Sequence, residues 1–144
     1  MAYYRIKAAG EHSHSLECVM DRVYEIVSKK DDKDVLVLVS QLNYAKTDKR
    51  IELILGSTMF EALVKRSAEF VGIADVNVEV HPYAYITNSP YNANNKTLVV
   101  LNPSISDLEN KFTNLHKTTD VIAVEMHSDG ELDGWVNDKQ AKDV

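Results

Sequence analysis

The chain has little cysteine, since Cys18 is the only one in 144 residues. A single cysteine excludes a disulfide within the chain and fits a reducing compartment. Cys18 lies beside apolar residues in a predicted helix, so we expect it to be a small buried side chain. The sequence offers no identifiable partner that would make it a catalytic nucleophile.

Long apolar runs are also missing. The N-terminal residues, MAYYRIKA, lack the apolar stretch of a signal peptide. The longest aliphatic run, from Val35 to Val39, is far too short to span a bilayer. The sequence therefore predicts a cytoplasmic protein without a membrane segment.

Basic residues are not in excess, and the glycine motifs that bind phosphate are absent. Sixteen lysines and arginines stand against 22 acids, so the chain is acidic, with a formal net charge of −6. A protein that binds the backbone of nucleic acids presents a basic face, so a nucleic-acid partner is not expected. Neither GxGxxG nor GxxxxGKS/T occurs, and no cofactor is predicted.

The chain does contain the material of a globular domain. Hydrophobic residues make up 44% and charged residues 26%, which are ordinary proportions for a folded protein. The length fits one domain. We therefore predict a single α/β domain over 1–144, of which the last residues, 139–144, fray.

Hydrophobic periodicity predicts a mixed six-stranded sheet with about four helices, in the order βαββαβ-βαβα. The unbroken aliphatic run at 35–39 indicates a central strand that is covered on both faces. Apolar residues three and four apart indicate the helices. The predicted strands are 3–9, 35–39, 50–55, 76–80, 97–101 and 121–126, and the predicted helices are 16–30, 59–71, one that follows Ser104 and one that begins at Ser128.

Residues 48–72 admit two interpretations. Gly56 inside one long helix would cost about 1 kcal/mol, and Thr58 and Glu61 fit a capping box. These features favour a strand over 50–55, which forms a hairpin with the preceding strand, followed by a helix. The alternative is an all-parallel, Rossmann-like three-layer sandwich in which residues 48–72 are helical.

Chain direction brings three turns to one edge of the predicted sheet. The first, fifth and sixth strands run the same way, so the turns after them meet where helices begin. Helix N-termini favour an anion, most of all a phosphate, although serines at these positions also cap helices without any ligand. The candidate anion-binding residues are Gly10, His12, Ser13, His14, Ser15, Ser104, His127 and Ser128.

The histidines in these turns raise the alternative of a metal site. His12 and His14 are two residues apart, and so are His127 and Asp129. Four nitrogen and oxygen ligands at one edge could hold Zn²⁺ or another divalent ion. No HExxH or paired CxxC motif accompanies them, so no metal is predicted and this set remains an alternative.

The stretch 82–96, PYAYITNSPYNANNK, is predicted to be a long loop rich in tyrosine and asparagine. Loops of this length are often functional. Tyrosine and asparagine suit protein contacts, because they combine rigid aromatic area with adaptable hydrogen bonds. Tyr83, Tyr85 and Tyr91 are therefore candidates for binding a protein partner.

Two functions are compatible with these patterns. The first is a small non-catalytic binding or regulatory domain that acts through protein–protein contacts, including self-association into a homo-oligomer. The alternative is a small enzyme, or a nucleotide- or phosphate-binding protein, that uses the helix N-termini after the first, fifth and sixth predicted strands. No catalytic signature such as GxSxG occurs, so the sequence leaves open whether the chain is an enzyme.

Overall fold

Strands are separated by helical segments along most of the chain in the computed structural model, which describes residues 1–10 and 16–144. Over these residues there are seven strands and seven α-helices, with a π-helical segment over Phe60–Lys65 and a 3₁₀ turn over Pro90–Ala93. The strands are β1 (Tyr3–Lys7), β2 (Asp34–Val39), β3 (Val71–Ile73), β4 (Val76–Pro82), β5 (Thr97–Leu101), β6 (Asp120–Glu125) and β7 (Lys142–Asp143). The helices are α1 (Val19–Val27), α2 (Leu42–Ala45), α3 (Lys49–Leu55), α4 (Ser57–Met59), α5 (Ala84–Thr87), α6 (Ile105–Asn110) and α7 (Asp133–Lys139).

The seven strands of the described residues form one mixed sheet in the order β3-β4-β2-β5-β6-β1-β7. Every neighbouring pair is parallel except β3 with β4, which is antiparallel. The predicted α/β class is therefore confirmed, while the predicted counts of six strands and about four helices are too low.

Helices cover both faces of the sheet. This burial on both sides explains why the sequence of β2 is an unbroken aliphatic run. Val35 and Val37 point into a core that includes α1, α3 and the π-helical segment, which we call the first face. Leu36 and Leu38 point into a second core with α5, α6 and α7, which we call the second face. A central parallel strand needs apolar residues on both sides, so the prediction for 35–39 is confirmed.

Helix α1 is shorter than the predicted 16–30. Val19, Val23 and Val27 are fully buried at the spacing of one helical face. Cys18 stands just before the first helical residue and is exposed. The prediction of a buried cysteine is therefore wrong, because Cys18 lies outside the face that Val19, Val23 and Val27 bury.

The strand predicted over 50–55 is wrong, because these residues belong to helix α3. The helix begins after Asp48, whose side chain accepts a hydrogen bond from the Arg50 amide at 2.9 Å. Ile51, Ile54 and Leu55 are buried at helical spacing. The helix ends at Gly56 with φ +83°, a conformation that glycine adopts without strain.

Helix continues after Gly56, but it ends much earlier than the predicted residue 71. The π-helical segment stops at Lys65, and β3 follows. The capping box predicted at Thr58 and Glu61 is wrong, because α4 begins at Ser57 and has no side-chain cap. The alternative of a helical 48–72 in an all-parallel sheet fits as far as Lys65, and fails where β3 adds an antiparallel edge.

The predicted hairpin between the second and third strands is wrong for the same reason. With helix after β2, the chain crosses over and β4 lies parallel to β2. The hairpin of this structure instead joins β3 to β4 through Ala74 and Asp75, which have φ +49° and +68°. Positive φ at both positions is typical of the two-residue turns that match the twist of a hairpin.

Two segments that were predicted to be irregular hold short regular elements. Residues 82–96 contain α5 and the 3₁₀ turn, and Ile86 and Ala93 are fully buried there. Residues 139–144, predicted to fray, include β7, which pairs with β1. The Val144 amide also donates to the Arg5 carbonyl at 3.0 Å.

Candidate functional site

The carboxyl ends of β5, β6 and β1 lie side by side, because these three strands are parallel neighbours. The turns that hold Gly10, Ser104, His127 and Ser128 therefore leave the sheet at one edge. His12, Ser13, His14 and Ser15 lie outside the described residues. An anion at this edge stays a prediction.

Ser104 at this edge has a local partner. Ser104 forms a capping box with Asp107, in which the Asp107 amide donates to Ser104 Oγ and the Ser104 amide donates to Asp107 Oδ2, each at 3.0 Å. The prediction of a helix that begins at Ser128 is wrong, because α7 begins only at Asp133. Helices α6 and α7 have six and seven residues, so the cumulative dipole that would attract an anion is small.

The metal alternative also stays a prediction, because His12 and His14 fall outside the described residues. Within 1–10 and 16–144, no three His, Cys, Asp or Glu side chains are grouped so that they could hold a metal ion. Asp129 instead lies 3.5 Å from Lys7 Nζ.

A crevice opens at the same edge between β2 and β5. Helix α2 leaves β2 toward the first face and α6 leaves β5 toward the second, an arrangement that often forms a ligand site in α/β proteins. Asn102 follows β5 with φ +55° and lines the crevice together with Ser40 and Gln41. The volume is only about 60 Å³, whereas ligand pockets typically measure about 300–1,000 Å³.

A buried cluster of charges lies between the sheet and α7. Glu125, fully buried at the end of β6, accepts hydrogen bonds from the Gly130 and Leu132 amides at 2.9 and 3.0 Å. Its Oε2 also lies 3.3 Å from Arg5 Nη1. Glu125 thus fastens the loop between β6 and α7 to the sheet.

Arg5, only 4% exposed, completes this cluster. Its Nε and Nη2 donate to the two carboxylate oxygens of Asp143 at 2.6 and 2.9 Å, and Nη1 donates to Asp133. Hydrogen bonds from Arg5 to Asp143 and Asp133 raise the pKa of Arg5 against the opposing effect of burial. A guanidinium with this many acceptors is a structural link. Sequence reasoning missed this role of Arg5. An arginine within a predicted strand was the signal that could have indicated a buried ion pair.

Acid should weaken this cluster through Asp143. Hydrogen bonds from Arg5 hold the pKa of Asp143 below its ordinary value of 3.8, against burial, which raises it. A depressed carboxyl pKa stabilises the fold above the unfolded-state value, and this contribution is lost as the pH falls through the folded-state pKa. We expect melting temperatures of wild type and Asp143→Asn to differ above about pH 5 and to converge in acid.

The control for this titration is Asp138→Asn, which alters an exposed acid near the same terminus. It should follow the wild-type curve throughout. A pH-independent gap between wild type and Asp143→Asn would show that the Arg5 pair does not titrate as described.

A groove of about 510 Å³ opens on the first face, next to β3, the outermost strand on one side of the sheet. Its lining comes from three separate segments, 17–24 around the start of α1, 53–59 around Gly56, and β3. The charged residues of this lining are Glu17 and Asp21, and no lysine or arginine is among the described lining residues. We call it the acidic groove.

Apolar side chains are exposed in and beside the acidic groove. Leu53 is 45% exposed and Ile73 is 37% exposed, and Phe70, which directly precedes β3, is 56% exposed. Half of the six large apolar or aromatic side chains that are exposed among the described residues lie here. Clustered exposed apolar area, unlike scattered single residues, marks interaction surfaces.

Two residues of the groove lining are in polar contact. Tyr24 Oη lies 3.5 Å from the Met59 sulfur. Burial, and then the negative charge of Asp21, raise the pKa of Tyr24. The phenol therefore stays protonated at neutral pH, and the acids alone set the charge of the groove.

The three tyrosines proposed for partner contact have different environments. Tyr83 is 5% exposed, and its hydroxyl donates to the Leu101 carbonyl at 2.6 Å. Tyr85 stacks on His81 with ring centroids 3.7 Å apart. Tyr91 is 71% exposed, so it is the member of this set most open to a partner.

Among the residues that the structure describes, no helix is both long enough and apolar enough to cross a membrane. Comparison with protein-family models, with curated proteins and with solved structures found no match for this chain.

Proposed function

We propose that the chain is a non-catalytic, cytoplasmic binding domain that recognises a protein partner through the acidic groove. The observation that carries this proposal is the groove itself, about 510 Å³ of open concavity with Leu53 and Ile73 exposed in its lining. Apolar surface that is withdrawn from water contributes about 25 cal/mol per Å². These side chains would therefore supply the favourable part of an association.

The crevice between β2 and β5 is too small for a drug-sized ligand, and the acidic groove, although as large as a ligand pocket, is open to solvent rather than enclosed. The crevice between β2 and β5 is about 60 Å³, much smaller than the sites that take nucleotides or drug-sized molecules. The acidic groove is open to solvent, so side chains of a partner segment could enter it.

The buried ionisable groups support a non-catalytic role. Arg5 and Glu125 are the buried charged residues of the described chain. Both make several hydrogen bonds, since Arg5 donates to Glu125, Asp133 and Asp143, and Glu125 also accepts from two backbone amides. A group that holds the fold together in this way is not free to transfer protons to a substrate. Among the residues that the structure describes, the alternative, an enzyme or phosphate binder at the turns after β1, β5 and β6, has no comparable observation in its favour.

Peptide selection tests the proposal. Peptides selected from a displayed random library on the full chain should bind wild type and lose affinity for Leu53→Asp and for Ile73→Asp. We expect a loss of about tenfold or more, because each variant places a charge in the apolar part of the contact. Affinity is measured by titration calorimetry, after thermal melts confirm that the variants fold.

Matched controls are available at two other exposed aromatic residues. Tyr91 and Tyr44 are 71% and 67% exposed, and they stand in the 82–96 segment and at the crevice. Tyr91→Asp and Tyr44→Asp should leave peptide affinity unchanged. Selection of no peptides, or of peptides that respond only to Tyr91→Asp or Tyr44→Asp, would contradict the proposal.

A further inference from the structure

We propose, building on the function proposed above, that the partner segment is extended and carries both basic and apolar residues, and that it adds as a strand to β3. Three observations support this: the open edge of β3, the position of β3 in the wall of the acidic groove, and the sign of the groove's charge.

β3 ends the sheet on one side. It pairs with β4, and no other strand of the described residues follows it in the strand order. Gly72 and Ile73 are exposed. Backbone N–H and C=O groups on the outer side of an edge strand are free to pair with an incoming chain.

The acidic groove begins where β3 ends the sheet. Val71, Gly72 and Ile73 all line it. Successive side chains of a strand point to opposite faces. A strand added outside β3 would therefore turn every second side chain toward the groove on the first face, beside Leu53.

The negative charge of the acidic groove determines which residues are favoured in the partner segment. The groove lining carries Glu17 and Asp21, both exposed, with no described cation among its members. Lysine or arginine in the partner would pair with these acids, while acidic segments would be repelled. A second copy of this chain, at a net charge of −6, brings the same acids to the interface and is disfavoured.

Synthetic peptides test the composition. The first is an eight-residue peptide that repeats the pattern Lys-Lys-Val-Val, capped at both ends, so that each face of the strand carries both lysine and valine. The second replaces lysine with glutamate. The third keeps the lysine sequence but carries N-methyl groups that remove backbone donors. We expect binding of the first peptide, and affinities weaker by about tenfold or more for the other two.

A charge-reversal pair of variants tests the role of Asp21. Asp21→Lys should weaken binding of the lysine peptide by about three- to tenfold and improve binding of the glutamate peptide, because exposed ion pairs each contribute modestly. Glu109→Lys makes the same change at an exposed site of α6 and should have no effect. The difference should disappear near 1 M salt, where the screening length is about 3 Å.

The outcomes separate this inference from the function on which it rests. Equal binding of the lysine and glutamate peptides, or tolerance of N-methylation, would overturn the basic extended partner even if Leu53→Asp still abolishes binding. Sedimentation that shows a dimer of the wild type, lost in Leu53→Asp, would also overturn it in favour of a second copy. Peptide binding that is unaffected by Leu53→Asp would instead overturn the acidic groove as the contact.

Discussion

Replacing Glu125 with alanine is expected to lower the free energy of unfolding by about 3–5 kcal/mol, the usual effect of removing one partner from a buried ion pair. Glu125 is fully buried and accepts hydrogen bonds from two backbone amides, those of Gly130 and Leu132. Leu132 is itself fully buried. Its amide would lose its partner without gaining water, which costs about 1–3 kcal/mol for each such group.

The arginine side of the cluster adds to this loss. Without Glu125, Arg5 keeps Asp133 and Asp143 but loses its most deeply buried counter-ion. Chemical denaturation measures the effect. The control is Glu61→Ala, which removes a half-exposed carboxylate paired with Arg66 and should cost less than about 1 kcal/mol. Equal costs for the two variants would show that the Glu125 cluster does not hold the loop before α7.

Truncation of Trp135 to alanine is expected to be similarly damaging, at about 3–5 kcal/mol. Trp135 lies on α7, is 2% exposed, and meets Tyr3 edge to face with ring centroids 5.9 Å apart. Its removal takes a large apolar side chain from the second face and leaves a cavity that a packed core fills only partly. Denaturant midpoints should fall while the slope of the transition stays constant.

Tyr91→Ala is the control for the Trp135 prediction. This variant also removes an aromatic ring, but from a side chain that is 71% exposed. Because little packing is lost there, the free energy of unfolding should change by only about 0.5 kcal/mol. A Trp135→Ala variant as stable as Tyr91→Ala would mean that α7 does not close the second face.

The strands of the sheet could be predicted from the sequence where an apolar run is compatible only with a buried strand. Residues 35–39, 97–101 and 121–126 became strands because parallel neighbours and two helical layers require apolar residues on both sides. Residues 50–55 offered two choices. Ile51, Leu53 and Leu55 alternate as in a strand, while Ile51, Ile54 and Leu55 share a helical face, and tertiary packing decided for the helix.

The acidic groove could not be predicted from the sequence, because the exposure of Leu53 follows from whether residues 50–55 form a strand or a helix. In a strand, Leu53 would have pointed the same way as Ile51, toward the core. In α3 it lies off the buried face and is 45% exposed. The hairpin that places Ile73 in the groove turns at Ala74 and Asp75, which lack the usual Asn-Gly signature of such turns.

Chain polarity correctly predicts that β1, β5 and β6 run parallel. The anion site at the turns after them stays a prediction, because residues 12–15 lie outside the described residues. The tyrosines show a related difficulty. A Tyr/Asn-rich composition predicts exposure, yet Tyr83 is buried since its hydroxyl finds the Leu101 carbonyl and its ring packs against Phe112. Composition alone does not tell which aromatic residue of a segment enters the core.

Amide chemical-shift mapping of the full ¹⁵N-labelled chain during titration with the lysine–valine peptide tests the central claim most directly. The account predicts that the largest shifts occur at Val71–Ile73 and at Asp21 and Tyr24, and that Leu53→Asp removes them. Shifts concentrated in 82–96 or at the carboxyl ends of β5 and β6, with the acidic groove unchanged, would contradict it.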